Sequence, residues 1–235
     1  MTLSGAIPVR KDRGRTTQNG FQNRVRFECP KEKNKVMPRV RSMSQIWKKE
    51  ARYIIKTALV FCALSAAFSL VGMVLPEKVL LHNPTGGLSL HEIAGHMLWG
   101  LVAGTVFLSA RYVIITGLFA VLIDSDHIIG LFHVEALERM SHSIAFGTIA
   151  VIVLMISFGR KDYRLGAAAF AGVLSHLSFD AFDGDSKFPL FVPFYNHQII
   201  FPTIDWILFE IAAVAVAGTV TILATRRPRV ITAQP

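Results

Sequence analysis

Six apolar runs, at about 53–75, 91–110, 112–133, 142–158, 165–182 and 205–224, set the terms on which this chain of 235 residues can fold. A hydrocarbon core about 30 Å thick needs roughly 20 apolar residues of helix to cross it. Within lipid, only a helix or a closed barrel satisfies its own backbone. Runs of this length and number predict an all-α fold, a polytopic transmembrane helical bundle of about six spans. Composition agrees: 52% of the residues are hydrophobic, 17% are charged and the mean hydropathy is +0.45, which is too apolar for an ordinary soluble domain.

The formal charge of +9 reads as a nucleic-acid signal until it is located. Residues 1–50 hold 13 Lys+Arg against 4 Asp+Glu, while residues 51–235 hold 12 of each. The basicity belongs to the leader, and no nucleic-acid partner is expected. That leader has few large apolar residues, no helical period and no apolar signal-peptide core, so disorder is expected for it. Two readings stay open: a cytoplasmic tail that touches anionic lipid, or an extension ahead of a start at Met43. The division is then a basic leader at 1–50, a transmembrane domain at 51–225 and a short basic cytoplasmic tail at 226–235. Cys29 and Cys62 offer neither a disulfide framework nor a CxxC site.

Basic residues flank alternate span ends. They lie before the first span ("WKKEAR"), at Arg111 between the second and third, in "GRKDYR" between the fourth and fifth, and in "TRRPR" after the sixth. The positive-inside rule places these segments and both termini in the cytoplasm, which makes the chain a multi-pass protein of the cytoplasmic (inner) membrane. The first, fourth and sixth spans are clean and can face lipid. The second, third and fifth carry His or Asp and are rich in Gly and Ala, as closely packed helices of a bundle interior are.

Ionisable residues inside spans cost about 2.5–3.5 kcal/mol on insertion scales and mark functional sites by default. Counting 1.5 Å per residue from the cytoplasmic end of each span places Asp124 at about 18 Å, His96 at about 21 Å and His176 at about 17 Å. His91, His127, His142 and Asp180 fall at about 22–28 Å. Residues of four spans thus meet in one layer toward the extracytoplasmic side. In "GVLSHLSFDAFDGD", His176, Asp180 and Asp183 share a helical face; in "DSDH", Asp124 and His127 do, while Asp126 points elsewhere unless the helix is broken there.

Imidazoles and carboxylates without thiolates suit zinc first, with manganese or iron as alternatives, and the donor number allows one to three divalent transition-metal ions. His96, Asp124, His127, His142, His176 and Asp180 are the expected metal residues. "HEIAGH" does not make an HExxH site, because His91 and His96 lie five apart and off one face. Glu92 and His96, four apart, do share one, which makes Glu92 a candidate ligand or general base. His82, His133 and His197 read as packing histidines.

The order of these motifs resembles a known family. "HMLWGLVAG", "DSDH", "SHS" and "GVLSHLSFD" ahead of "PLFVPF" are similar to the membrane-bound metal-dependent hydrolases, a family that includes a LexA-regulated inner-membrane hydrolase. The resemblance covers roughly residues 90–195. It implies a metal site at His96, Asp124, Asp126, His127, His142, His176 and Asp180. It also implies a distant relation to the all-helical zinc-dependent phospholipase C and P1 nuclease group, hence phosphoester hydrolysis. One departure stands before "SHS": Leu137 and Glu138 occupy positions where the family often has His-Arg, and Arg139 is displaced by one.

The function expected from sequence is an integral-membrane, metal-dependent hydrolase acting on an ester or phosphoester of a lipid or lipid-linked amphiphile near the outer interface. Asp126 and Glu92 are its candidate catalytic carboxylates, and Arg139 and Lys187 its candidate phosphate-binding cations. The loop "DGDSKFPLFVPFYNHQIIFPTIDW" reads as an interfacial lid or a plain aromatic belt. The rival readings are a cation or proton transporter using the same His/Asp cluster, and a non-catalytic membrane adaptor.

Overall fold

The computed structural model describes residues 43–76, 78–80, 89–184 and 187–226; most of the leader, with Cys29, and also His82 and the tail at 227–235 lie outside the described residues. Six helices make up the described chain: α1 (Met43–Ser69), α2 (Leu90–Gly104), α3 (Ala110–Leu122), α4 (Ile144–Phe158), α5 (Tyr163–Asp183) and α6 (Trp206–Arg226). The architecture is all-α. Two short antiparallel strand pairs accompany the helices, β1 (Val79–Leu80) with β2 (Glu135–Ala136), and β3 (Lys187–Phe188) with β4 (Ile199–Ile200).

Among the described residues four helical stretches are long and apolar enough to cross a membrane, at Met43–Met73, Ala110–Phe132, Tyr163–Asp183 and Thr203–Arg226. The helices α2 and α4 have 15 residues each and are shorter. The span containing α5 is 89% buried, against 22% for that of α1 and 17% for that of α6; α2, α3, α4 and α6 pack on α5, and α1 packs on α3, α4 and the segment after α3. The sequence of α5 explains its position. Gly166, Ala167, Ala168, Ala169, Ala171 and Gly172 are small, and their backbone can be approached closely. A side chain at Gly172 would meet Phe119 Cβ of α3 at 2.8 Å, and one at Gly100 of α2 would meet Ala120 Cβ of α3 at 2.8 Å.

Residues spaced by four give α1 one buried face, Thr57, Phe61, Ser65 and Ser69, with Phe61 stacked on Phe119 at 4.2 Å between ring centroids. Local signals bound the helices. Ser89, Ser143 and Asp162 cap α2, α4 and α5 by accepting from Glu92 N, Phe146 N and Leu165 N, and Gly184, at φ +98°, closes α5.

Two expectations are corrected. Residues 43–50, assigned to the disordered leader, are the first turns of α1; they contain no Gly or Pro, and Glu50 is held by Arg111 of α3 in a bidentate pair with both contacts at 2.5 Å. The third apolar run is not one regular helix. The α-helix ends at Leu122 and the chain continues as 10 residues of 3₁₀-helix, Ile123–Phe132, through the "DSDH" sequence.

Candidate metal centre

The change of winding at Ile123 places the acidic residues. A 3₁₀-helix turns about 120° per residue, so positions three apart eclipse. Asp124 and His127 therefore point the same way, and Asp126 points aside toward the turn that precedes α4. The carbonyls released by the switch find partners on α1 and locally: the Ser65 hydroxyl donates to Ile123 O at 2.6 Å, and Ser125 Oγ lies 2.6 Å from Leu122 O and 3.0 Å from Cys62 O.

Asp126 does not leave the site by pointing aside. Its Oδ2 accepts from Ser141 N and meets His142 Nδ1, both at 3.2 Å. A carboxylate opposite Nδ1 keeps the proton on that nitrogen and leaves Nε2 facing the cluster. His176 is set the same way by another acceptor. Its Nδ1 donates to the carbonyl of Ala120 at 2.6 Å, and its Nε2 turns inward. The two Nε2 atoms face each other at 2.8 Å.

Around them the carboxylates close in. Asp124 Oδ1 lies 3.5 Å from His176 Nε2, 3.6 Å from His142 Nε2 and 3.7 Å from His127 Nε2. Asp180 Oδ2 lies 3.4 Å from His176 Nε2 and 3.5 Å from His142 Nε2, and Asp180 Oδ1 is 3.5 Å from His96 Nε2. His96 Nε2 is also 3.6 Å from Asp124 Oδ2 and 3.5 Å from Glu92, one helical turn before it. The residues of α2, the 3₁₀ segment, the turn before α4 and α5 thus meet in one layer. His142 belongs to that turn and not to α4 itself.

The side chains of His142 and His176 are fully buried, and those of His96, Asp124 and Asp180 nearly so. Glu92 and His127 are each 23% exposed, which marks the accessible edge of the cluster. Phe179 covers His96 edge-on at 4.7 Å, and the His96 and His176 rings stack at 3.8 Å.

Arg139, expected in an outer loop, is drawn into the cluster. It takes a left-handed backbone at φ +57°, uncommon for a residue with a side chain, and its guanidinium pairs with Asp180 Oδ2. Its other terminal nitrogen donates to the carbonyl of Lys187 at 3.4 Å, so the link between Lys187 and the cluster runs through the main chain while the Lys187 side chain is exposed. His91 stays outside, exposed and 3.9 Å from Asp183, as its spacing from His96 required. His133 and His197 are exposed and take no part in the cluster.

These residues fit a metal. Three overlapping groups, His96–Asp124–His176, Asp124–His127–His142 and His142–His176–Asp180, each bring their ligand atoms within 4.8 Å of one another. Ligand bonds of about 2.0–2.2 Å in tetrahedral array put neighbouring donors about 3.3–3.6 Å apart, the spacing seen here between imidazole nitrogens and carboxylate oxygens. Charge points the same way. Asp124, Asp126 and Asp180 are buried with Arg139 as the cationic partner, a formal excess that one divalent cation offsets.

Partners that no side-chain pattern announces are the Ala120 carbonyl, the Ser141 N–H and Ser65. Only Ser141 had a signal, as part of "SHS". The segment at 187–205 has an inner face, with Phe188, Leu190 and Val192 buried, and an outer one, with Phe191 and Phe194 exposed. Leu190 O accepts from Ile144 N at 3.0 Å, tying the loop to the start of α4.

Compared with known proteins, residues 88–234 match the family described as YdjM inner membrane protein. No curated protein and no solved structure matches the chain.

Proposed function

The chain belongs to the YdjM inner membrane protein family, known as a membrane-bound metal-dependent hydrolase family, and from that premise we propose that it hydrolyses an ester or phosphoester of a lipid or other amphiphile. His96, Asp124, His127, His142, His176 and Asp180 would hold the metal, zinc first by donor type and manganese or iron as alternatives, in one to three ions. When bound, the metal supplies Lewis-acid polarisation of the scissile bond and water acidified to a pKa of about 7.

The chain's own residues do the rest. Asp126 holds the His142 imidazole in one tautomer and orientation, and the Ala120 carbonyl does the same for His176. Glu92, at the accessible edge, takes the proton of the attacking water as general base. Arg139, whose guanidinium already pairs with Asp180, adds positive charge for the substrate's phosphate, with the Lys187 ammonium at the rim. In this reading all six helices cross the inner membrane, both termini are cytoplasmic and the cluster lies toward the extracytoplasmic side. Exposed Leu131, Phe132 and Phe194 around that end suit the acyl part of an amphiphile.

The observation that carries the proposal is the facing pair of Nε2 atoms on His142 and His176. With both Nδ1 atoms committed to acceptors, two imidazole lone pairs meet in a buried layer of carboxylates, an arrangement that a shared cation stabilises. Metal analysis of the purified protein, paired with turnover of phosphoesters and phospholipids, tests it. Wild type is expected to retain stoichiometric transition metal and to hydrolyse, and His176→Ala to do neither. A wild type that keeps no metal ends the proposal. Metal without hydrolysis, but with metal flux in proteoliposomes, favours a transporter. A cysteine placed at Lys187 should react with an impermeant thiol reagent outside intact cells; labelling only after lysis inverts the topology.

A further inference from the structure

We propose that the end of the bundle remote from the His/Asp layer binds one anionic phospholipid, its phosphate on Lys161 and Arg164 and an acyl chain along the groove between α4 and α6. The inference needs the chain to sit in a bilayer and is independent of the metal centre, which lies about 20 Å away along α5.

The turn between α4 and α5 builds the polar part. Gly159, at φ +139°, ends α4, and Asp162 caps α5. Lys161 and Arg164 then line a cavity of about 440 Å³ whose other wall is Val220, Leu223 and Ala224 of α6. Arg164 Nε is buried and has no hydrogen-bond partner among the described residues. A buried guanidinium nitrogen left without an acceptor is costly, and a phosphate oxygen supplies one. Asp162 also lines the cavity, but its oxygens are occupied: Oδ2 accepts from Tyr53 at 2.7 Å, and Oδ1 accepts from Tyr112 at 2.8 Å and from Leu165 N. The first turn of α5 adds the partial positive charge of a helix N-terminus.

The apolar part makes the occupant a lipid and not free phosphate. A groove of about 340 Å³, lined by Val151 and Met155 of α4, Ala167 and Phe170 of α5 and Val216 of α6, shares Tyr163 and Val220 with the basic cavity. From Tyr163 to Phe170 it follows about 10 Å of helix, a length and character suited to an acyl chain. The chain's own residues 226–229, RRPR, have the wrong sign to fill the basic cavity.

Binding to the full-length protein in detergent, titrated by native mass spectrometry with phosphatidylglycerol, phosphatidylcholine and glycerol phosphate, tests the site. Wild type is expected to prefer phosphatidylglycerol, and Arg164→Gln and Lys161→Gln each to weaken it about tenfold without changing phosphatidylcholine binding. Lys161 is exposed, so its variant keeps the test valid if Arg164→Gln loses its size-exclusion profile. Equal phosphatidylglycerol binding by the folded variants, or equal affinity for both lipids, overturns the proposal. Displacement of the lipid by glycerol phosphate at equal concentration also overturns it, by marking a bare phosphate site.

Discussion

Two polar clusters sit at opposite ends of α5, and they are built on different plans. At the Asp162 end the groups answer one another: two tyrosine hydroxyls and a backbone N–H share the Asp162 carboxylate, and Arg111 pairs in two contacts with Glu50 while lying over the Tyr53 ring at 4.8 Å. At the His176 end, the imidazole Nε2 atoms and the oxygens of Asp124 and Asp180 converge at 3.4–3.7 Å, with Asp124 Oδ1 facing three nitrogens at once. His96 Nδ1 and Asp126 Oδ1 have no hydrogen-bond partner among the described residues. The Asp162 carboxylate, which ties α1, α3 and α5 together, has its acceptors taken up within the chain. The His/Asp cluster instead turns the Nε2 atoms of His96, His142 and His176 toward shared carboxylate oxygens. The contrast separates a buried polar cluster that serves the fold from one that serves chemistry.

That contrast is breakable by experiment. The largest effect is expected for Asp124→Ala, which removes the oxygen facing three histidines: retained metal and turnover should fall together by more than about a hundredfold, measured by elemental analysis and initial rates. A variant that keeps its metal would erase the distinction between the clusters. Asp126→Asn leaves the inner layer intact but loosens His142, so metal affinity should fall about 10–100-fold in competition with a chelator, with stoichiometry regained at high metal.

Arg139→Gln should reduce kcat/KM on phosphoesters about tenfold, chiefly through KM, with metal content retained. The smallest effect belongs to the other end. Tyr112→Phe takes one donor from Asp162 and should cost about 1–2 kcal/mol of stability, read as a lower Tm, while chelation lowers Tm by the same amount as in wild type. A Tyr112→Phe protein that loses metal would mean the two ends are coupled.

Much of the centre was legible along the chain. His176 and Asp180 share a face because they are four apart on a regular helix, and the separation of His91 from His96 followed from the same period. The six helices were legible as apolar runs, and the Gly and Ala of the second, third and fifth spans marked them as interior, while the greater burial of α5 came only with the packing. The winding of residues 123–132 was not. Helix and 3₁₀-helix share sequence preferences, and the switch is paid for by Ser65 on a distant element. Arg139 was legible only as a loop cation, because its inward turn depends on a left-handed backbone held by contacts with Asp180 and with Lys187.

By itself, then, the sequence determined that the chain is a helical membrane protein with His and Asp donors at a common depth, since hydropathy and helical period are local properties of consecutive residues. The tertiary structure alone decided which nitrogen of each histidine faces the centre, that Asp126 stands behind His142, and that Arg139 joins Asp180. Those outcomes depend on the Ala120 carbonyl, the Ser141 amide and the Asp180 carboxylate, groups brought near by packing between elements far apart in the chain.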